Sequence, residues 1–328
     1  MTLSEFYSEW NDGTPFVKVR TSGSTGKPKE MLVEKKRMLA SARITCDFLG
    51  LKSGDSALLC MPLDYIAGKM VVVRSIERGL RLIDVEPSSH PLHDVAEIPT
   101  FAAMVPMQVI KSLQVPEEAE KLRRIKQLII GGGAIDSNLA ETLKSFPNNV
   151  WSTYGMTETL SHIALRRLNG KEASLWYTPF QSVKISISQD GTLVIDAPSV
   201  CSEELITNDI AEINERGQFR IIGRKDNTIN TGGVKVQIEE VERLLTEKLG
   251  LKDGFRISWR EHQVLGQEVV MLVDASVTEQ KMALLRNAIS TLPKYWQPKD
   301  IVAVDTLPMT ETGKPDRAKT RLLLKTKG

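Results

Sequence analysis

Residues 33–165 alternate between two kinds of segment, and this alternation limits the possible folds more than any other feature of the sequence. EKKRMLASARITCDFLGL (34–51) has the apolar spacing of a helix, and it is followed by SALLCMPL (56–63), a short apolar run. The same alternation continues through KQLIIGGG (126–133) and NVWSTYG (149–155). Helices that alternate with short buried strands predict an α/β region built on a largely parallel sheet.

The pattern changes after residue 180. In SVKISISQDGTLVIDAPSV (182–200), apolar and polar residues alternate on both sides of Asp190-Gly191. DIAEINERGQFRIIGR (209–224) repeats the arrangement around Arg216-Gly217. Two alternating runs joined by a short glycine-containing turn are typical of a β-hairpin. We therefore predict an antiparallel β subdomain over residues 180–225.

A polar segment with three glycines, GRKDNTINTGG (223–233), predicts a boundary or hinge. Beyond it, apolar residues with helical spacing, a hairpin-like stretch and a last strand-like run predict a small α+β domain. The expected division is an N-terminal domain over 1–225, with its α/β part at 1–170 and its β subdomain at 180–225. The C-terminal domain is expected over 226–328.

The stretch TSGSTGKPKE (21–30) combines glycines, hydroxyl groups and lysines, which suits the binding of a polyphosphate. It does not match the Walker pattern, because Gly23 and Gly26 are three residues apart and Pro28 follows Lys27. Both flanking segments have strand-like patterns, so no helix start is predicted there. A loop between two strands is the expectation, and composition alone leaves an ordinary mobile hairpin loop nearly as good an interpretation.

Four further segments follow this loop in order: IIGGGAI (129–135), STYGMTE (152–158), TNDIAEINERGQFRIIGRKD (207–226) and LPMTETGKPDR (307–317). Together with TSGSTGKPK, they resemble the motif set of the adenylate-forming superfamily, which includes acyl-CoA synthetases, peptide-synthetase adenylation domains and firefly luciferase. The resemblance runs from about residue 20 to residue 317. It implies a large α/β region with a β subdomain, then a small mobile α+β domain, in a fold shortened at its N-terminus.

The resemblance also implies a nucleotide site made of three groups of residues. The β- and γ-phosphates of ATP would be bound by Thr21, Ser22, Gly23, Ser24, Thr25, Gly26, Lys27 and Lys29. The adenine would lie against Gly131, Gly132, Gly133 and Ala134, with Tyr154 and Gly155 on its other side. The ribose hydroxyls would be bound by Asp209 and Arg224.

For catalysis, the resemblance implies that Thr157 bonds the α-phosphate and that Glu158 is the Mg²⁺ ligand. Lys314 would enter the site during adenylation and leave it afterwards. Asp226 would be the hinge residue, and Gly232 and Gly233 would line the tunnel for the thiol of coenzyme A. Taken one at a time, Glu158, Asp209 and Lys314 are better interpreted as ordinary surface groups, and only the joint pattern favours the catalytic interpretation.

The acyl site is the least defined part. CMPLDYIAGKM (60–70) and YGMTETLSHIA (154–164) resemble the o-succinylbenzoate–CoA ligase group of menaquinone biosynthesis. A dicarboxylate of this kind needs a cationic or polar partner for its second carboxylate. The candidates for this partner are Lys69, Arg74, Ser161, His162 and Arg166, and Tyr65 and Gly68 are the other residues predicted for the acyl site. The arginines could equally be solvent-facing, and His162 an interior histidine with its hydrogen bonds satisfied.

Charge and cysteine content limit the classes of binding partner and the cellular compartment that we expect. Lysine and arginine total 43 against 41 acidic residues, which gives no reason to expect binding to nucleic acid or to a membrane surface. Three widely spaced cysteines, no apolar run of about 20 residues and a polar N-terminus favour a cytoplasmic protein. The resemblance to the adenylate-forming superfamily, rather than composition, implies the activity of an AMP-forming acid–thiol ligase using an aryl carboxylate, ATP, Mg²⁺ and coenzyme A.

Two alternatives stay open. One is another aryl- or acyl-CoA ligase, or an enzyme that loads a carrier protein. The other, from a different class, is a non-catalytic nucleotide-binding protein on the same scaffold. A homodimer is compatible with the sequence, which does not establish the oligomeric state.

Overall fold

The structure is a computed structural model, and it describes residues 1–20, 30–133, 135, 137–249, 254–310 and 315–325. Within these ranges, no helix combines the length and the apolar character needed to cross a membrane. The helices are α1 (Leu3–Trp10), α2 (Lys35–Leu49), α3 (Ile66–Arg78), α4 (Pro106–Leu113), α5 (Pro116–Arg124), α6 (Ser137–Lys144), α7 (Ile238–Leu249), α8 (Glu279–Ser290) and α9 (Arg317–Lys325).

The strands form four sheets. Those before residue 180 are β1 (Phe16–Arg20), β2 (Glu30–Glu34), β3 (Ser56–Leu59), β4 (Arg81–Asp84), β5 (Phe101–Met104), β6 (Gln127–Ile130), β7 (Asn149–Gly155), β8 (His162–Arg167) and β9 (Thr178–Pro179). Those after it are β10 (Lys184–Ile187), β11 (Thr192–Asp196), β12 (Leu205–Ile213), β13 (Phe219–Arg224), β14 (Thr228–Thr231), β15 (Val234–Gln237), β16 (Phe255–His262), β17 (Gly266–Asp274) and β18 (Asp300–Val304).

The largest sheet has seven strands in the order β4-β3-β5-β6-β7-β8-β9. Its first five strands are parallel, as the alternation predicts, whereas β8 and β9 join antiparallel. β3, β5 and β6 are buried along their whole length. Because a central parallel strand is covered on both faces, it becomes a continuous apolar run. The active-site motifs follow the carboxyl ends of these strands, where ligands bind in open α/β sheets.

Residues 184–224 form a four-stranded antiparallel sheet, β10-β11-β12-β13, which agrees with the β subdomain predicted for this region. Its first hairpin turns at Asp190-Gly191, and the β12–β13 hairpin turns at Arg216-Gly217. β1 and β2 pair antiparallel on either side of residues 21–29, so strands flank that segment as expected.

Residues beyond β13 build their own sheet, in the order β15-β14-β17-β16, with β18 parallel to β17. Ile238, Val241 and Leu245 of α7 are buried on one face and pack into an apolar core with β16, β17 and α8. A separate apolar core extends from Phe6 to Phe219 in the first part of the chain. The two parts also touch directly, because α7 packs against β13.

Candidate active site

Tyr154, Asp209 and Arg224 form a hydrogen-bonded group where the seven-stranded and four-stranded sheets meet. Tyr154 Oη donates to Asp209 Oδ2 at 2.6 Å, and Arg224 Nη1 donates to Asp209 Oδ1 at 3.1 Å. Asp209 and Arg224 are direct partners in the β12–β13 register. Burial and the Asp209 charge raise the pKa of the Tyr154 phenol, so it stays protonated as a donor. An aromatic face thus lies beside a carboxylate that could accept hydrogen bonds from a diol.

Arg224 also reaches the predicted hinge residue. Its Nε and Nη2 donate to Asp226 Oδ1 and Oδ2 at 3.0 and 3.2 Å. These hydrogen bonds to Asp226 raise the pKa of Arg224. One guanidinium therefore links Asp209 to Asp226, the middle residue of the turn Lys225–Asn227 that joins β13 to β14. Such bidentate pairs fix orientation as well as charge.

The three glycines after β6 form a tight turn against neighbouring elements. A Cβ on Gly131 would lie 2.2 Å from Thr153 Oγ1 of β7. The next two glycines lie near Val105 and Pro106, at the start of α4. The absence of a side chain at Gly131 therefore allows this turn to pack closely against β7. Ala134, the fourth member of the predicted adenine site, lies outside the described residues.

The segment 156–161, which carries the predicted catalytic pair, is a compact turn with unusual backbone geometry. Thr159 Oγ1 accepts from Met156 N at 3.0 Å, and Leu160 has a φ of +63°. A buried leucine in the left-handed region costs on the order of 1 kcal/mol or more, which the surrounding packing must offset. Thr157 is partly buried and Glu158 is exposed.

An exposed Glu158 fits a magnesium ion that arrives with a nucleotide. Across the ranges that the structure describes, no group of three or more His, Cys, Asp or Glu side chains could hold a metal ion. Mg²⁺ commonly keeps several waters and takes one or two carboxylates together with phosphate oxygens. A single accessible carboxylate therefore suffices on the protein side.

Arg74 on α3 is a buried cation that donates a hydrogen bond to a serine. It is 2% exposed, and its Nη2 donates to Ser161 Oγ at 2.6 Å. Its Nε is buried without a hydrogen-bond partner, and over the described ranges no carboxylate pairs with it. Burial lowers its pKa to about 10, so it remains charged at neutral pH. An unpaired buried charge is costly, which makes this guanidinium a candidate receptor for an anion.

The other predicted acyl-site residues divide into two sets. Ser161 and His162 join Arg74, because Ser161 Oγ also lies 3.2 Å from His162 Nδ1. Lys69 instead lies under α1, with Nζ 3.4 Å from Glu9 Oε2 and 5.1 Å from the centre of the Phe6 ring.

The remaining acyl-site candidates lie elsewhere on the same elements. Tyr65, at the start of α3, is 46% exposed, and Gly68 lies in the first turn of that helix against the Pro62 carbonyl. The Arg166 guanidinium lies 5.3 Å from the Tyr177 ring centre and donates to the Ser174 carbonyl.

Some predicted residues fall outside the described ranges. These are the phosphate-loop residues 21–29 and Lys314. Met309 and Pro315, on either side of residues 311–314, form a β-bridge. Gly232 and Gly233, predicted for the thiol tunnel, form the turn between β14 and β15.

Sequence reasoning missed Thr45 on α2, whose Oγ1 lies 3.0 Å from His162 Nε2. The signal was present, since Ser41 and Thr45 are four residues apart and both are buried. Two hydroxyl groups on the apolar face of a helix indicate an interior polar contact.

A glycine turn after a parallel strand, a tyrosine beside an aspartate–arginine pair and an exposed Thr-Glu turn define a nucleotide-binding enzyme of the adenylate-forming class. The family model described as AMP-binding enzyme matches residues 11–197, and the chain belongs to this family. The predicted resemblance and fold class are thereby confirmed.

Individual proteins that the chain resembles are consistent with this family. A 2-succinylbenzoate–CoA ligase of Enterococcus faecalis is 27% identical over 90% of this chain, which spans 66% of that protein. The structure resembles an AMP-forming acyl-CoA synthetase/AMP-acid ligase II-like protein of Dyadobacter fermentans (33% identity, TM-score 0.66, covering 96% of this chain and 91% of that one). It also shares its fold with the Bacillus subtilis o-succinylbenzoate CoA synthetase in complex with ATP and magnesium (22% identity, TM-score 0.74, 92% and 69% covered).

Proposed function

We propose that the protein is an ATP-dependent, AMP-forming acid–thiol ligase that activates an aryl dicarboxylate of the o-succinylbenzoate type and transfers it to coenzyme A. The observation that carries the proposal is the hydrogen-bonded group of Tyr154, Asp209 and Arg224. It supplies a ring for the purine and a carboxylate for the ribose, next to the glycine turn at Gly131. The relatives named above support this choice of reaction.

In the first half-reaction, a carboxylate oxygen of the acid attacks the α-phosphorus of ATP, and the bond to the β-phosphate oxygen breaks. The products are an acyl-adenylate and pyrophosphate. Thr157 would donate to the α-phosphate and Lys314 would bind the negative charge that develops there. Glu158 would hold Mg²⁺, which supplies positive charge to the phosphate oxygens. The protein forms no covalent bond, so positioning and charge stabilisation provide the catalysis.

In the second half-reaction, the thiol of coenzyme A attacks the acyl carbon and AMP leaves, giving a thioester. We propose that residues 226–328 act as the mobile domain that exchanges Lys314 for the thiol tunnel at Gly232 and Gly233. Asp226 lies where this movement would be absorbed, at the junction of the two apolar cores. A hinge of a few residues at the end of a strand is sufficient for such a rotation.

The positive charge of Arg74, unpaired among the described residues, is evidence for a substrate with a second carboxylate. Its cation lies next to Ser161, in the same turn as Thr157 and Glu158, and has no carboxylate partner in the described part of the chain. A bound carboxylate would supply the missing partner. A simple aryl acid would leave the cation unpaired at a cost of several kcal/mol. The buried free thiols Cys46, Cys60 and Cys201 suit a reducing compartment, and we place the reaction in the cytoplasm.

The test measures pyrophosphate release with o-succinylbenzoate, benzoate and a panel of aliphatic acids. We expect o-succinylbenzoate to give the highest kcat/KM. Arg74→Met, which keeps a long side chain without charge, should reduce the preference for o-succinylbenzoate over benzoate by about tenfold or more. Arg78→Met, near the end of the same helix, serves as the matched control and should keep the preference.

Other outcomes identify the alternatives. Faster release with a different acid would assign the protein to another ligase of the family. Lys314→Ala should reduce pyrophosphate release by about hundredfold or more, since it removes the charge nearest the reacting phosphate. Unchanged release in Lys314→Ala would show that Lys314 has no catalytic role. No release with any acid while ATP still binds would point to a nucleotide-binding protein without this activity.

A further inference from the structure

We propose that Thr45 and His162 are positioning residues that orient Arg74 toward the acid through a directional chain of buried hydrogen bonds. The chain runs from Arg74 through Ser161, His162 and Thr45 to the Ser41 carbonyl. Its links measure 2.6, 3.2, 3.0 and 3.1 Å. The inference rests on the proposed role of Arg74 as the receptor for the second carboxylate.

The direction of each hydrogen bond follows from counting protons. A guanidinium only donates, so Ser161 Oγ accepts from Arg74. The single Ser161 hydroxyl proton is then free for His162 Nδ1, which accepts it. At the other end, the Thr45 hydroxyl proton goes to the Ser41 carbonyl, so Thr45 Oγ1 accepts from His162 Nε2. Only the neutral Nε2–H tautomer of His162 satisfies every link.

The opposite tautomer breaks the chain at two places. With the proton on Nδ1, the Ser161 hydroxyl proton would lose its acceptor, and Thr45 would turn its proton away from Ser41 toward Nε2. A protonated His162 would place a second cation beside Arg74. Burial lowers the pKa of His162 well below its usual range, and the Arg74 charge acts in the same direction. A buried donor or acceptor left without a partner is costly, so the chain has a single favoured arrangement.

This arrangement determines which lone pair Ser161 presents to Arg74. Because the Ser161 hydroxyl donates its proton to His162, a lone pair of Ser161 Oγ faces the guanidinium and accepts from Arg74 Nη2. Within the described ranges, Arg74 Nε has no hydrogen-bond partner. Thr45, on α2, thereby acts on a guanidinium of α3 through two intervening side chains. Removing the Thr45 hydroxyl should allow His162 to populate both neutral tautomers. The Arg74 guanidinium should then lose its fixed orientation.

The experiment uses the whole protein labelled with ¹⁵N in histidine and arginine side chains, studied by NMR without ligand. His162 is assigned by the signal lost in His162→Gln. We expect wild-type His162 to hold the Nε2–H tautomer and not to titrate between about pH 5.5 and about pH 8.5. In Thr45→Val, the tautomer should become mixed and the Arg74 guanidinium signals should shift. Thr45→Ser, which keeps the hydroxyl, should resemble the wild type.

The matched control is Thr320→Val. Thr320 is also a buried helical threonine whose hydroxyl donates to the carbonyl four residues earlier, that of Asp316, and among the described residues no histidine hydrogen-bonds to its side chain. Its substitution should leave the His162 and Arg74 signals unchanged. A shift of the same size in Thr320→Val would show a general packing effect and would overturn the proposal, as would a titrating His162 or a wild-type Nδ1–H tautomer.

Kinetics then test the consequence for the substrate. Thr45→Val should raise KM for o-succinylbenzoate by about tenfold with a much smaller change in kcat, and Thr45→Ser should restore it. An unchanged KM alongside a shifted tautomer would overturn the positioning role. If the wild type does not use o-succinylbenzoate, the proposed function fails, and the NMR measurements still decide whether Thr45 orients Arg74.

Discussion

Gly155 ends β7 at a point where any side chain would meet backbone. A Cβ at this position would lie 2.3 Å from the Ser161 carbonyl oxygen and 2.5 Å from His162 Cα. Neither atom can rotate away, so Gly155→Ala must displace the whole turn from Met156 to Ser161. We expect a loss of about 2–4 kcal/mol in the free energy of unfolding, at the upper end of overpacking effects. Urea unfolding monitored by circular dichroism measures it.

Gly131→Ala is the comparison for this prediction. Its Cβ would approach Thr153 Oγ1, a side-chain atom that can rotate, rather than backbone. We expect a smaller cost, about 1–2 kcal/mol. Equal losses in the two variants would mean that the turn after Gly155 adapts as readily as a threonine rotamer, contrary to its tight hydrogen bonding around Thr159.

At the scale of elements, Phe6 is the fully buried side chain of α1. Phe6 is fully buried, while its neighbour Tyr7 is 37% exposed. The Phe6 ring also lies beneath the Lys69 ammonium. Phe6→Ala should therefore lower the free energy of unfolding by about 3–5 kcal/mol, as expected for a fully buried phenylalanine.

Tyr7→Ala is the matched control on the same helix and should cost under about 1 kcal/mol. The midpoint of urea unfolding distinguishes the two variants. A Phe6→Ala protein with the wild-type midpoint would show that α1 detaches without consequence for the first apolar core.

The sequence predicts helices and strands well where the apolar periodicity is strong, and poorly where tertiary contacts determine the local structure. α2 carries clear apolar spacing, and it is observed at Lys35–Leu49. α5, PEEAEKLRR, is mostly charged and buries Ala119 and Leu122 on its packed face, so its periodicity is weak. The antiparallel β8 begins within YGMTETLSHIA (154–164), a stretch that we interpreted through its site residues and to which we assigned no strand.

The same limit applies to the candidate site. Its motifs predict that Tyr154, Asp209 and Arg224 lie close to one nucleotide. The direct hydrogen bond from Tyr154 to Asp209 depends on how the two sheets pack against each other, and no local sequence pattern encodes that packing. Likewise, helical spacing places Thr45 on the buried face of α2, but only the packing of α2 against β8 brings it to His162.

At the scale of the whole molecule, the two apolar cores meet where α7 lies on β13, and a buried carboxyl group lies at this contact. Glu239 Oε1 accepts from Asn227 Nδ2, while its Oε2 and the nearby Gln237 Oε1 are buried without hydrogen-bond partners. Both of these oxygens lie beside Gly223 of β13. Burial raises the pKa of Glu239, and the positive charge of Arg317 offsets this only in part.

The sign of the pH dependence follows from this shift. The folded protein holds the Glu239 proton more tightly than the unfolded chain does. The contribution of this proton to the free energy of unfolding is therefore fully present below the ordinary glutamate pKa of 4.5. It is lost as the pH rises through the raised value. Glu239→Gln imitates the protonated form at every pH, and its amide N–H₂ offers a donor to a region with two unpartnered oxygens. The variant should therefore be more stable than the wild type at about pH 7.5, with the difference shrinking toward about pH 4.5.

Urea unfolding at several pH values measures this difference, with Glu247→Gln as the control. Glu247 lies on the same helix but is exposed and pairs with Arg243, so its substitution should change stability by under about 1 kcal/mol. If Glu239→Gln is instead less stable than the wild type at neutral pH, the carboxylate is charged there and Arg317 is its partner. The contact between the two cores would then be held by an ion pair, and protonation of Glu239 would weaken it.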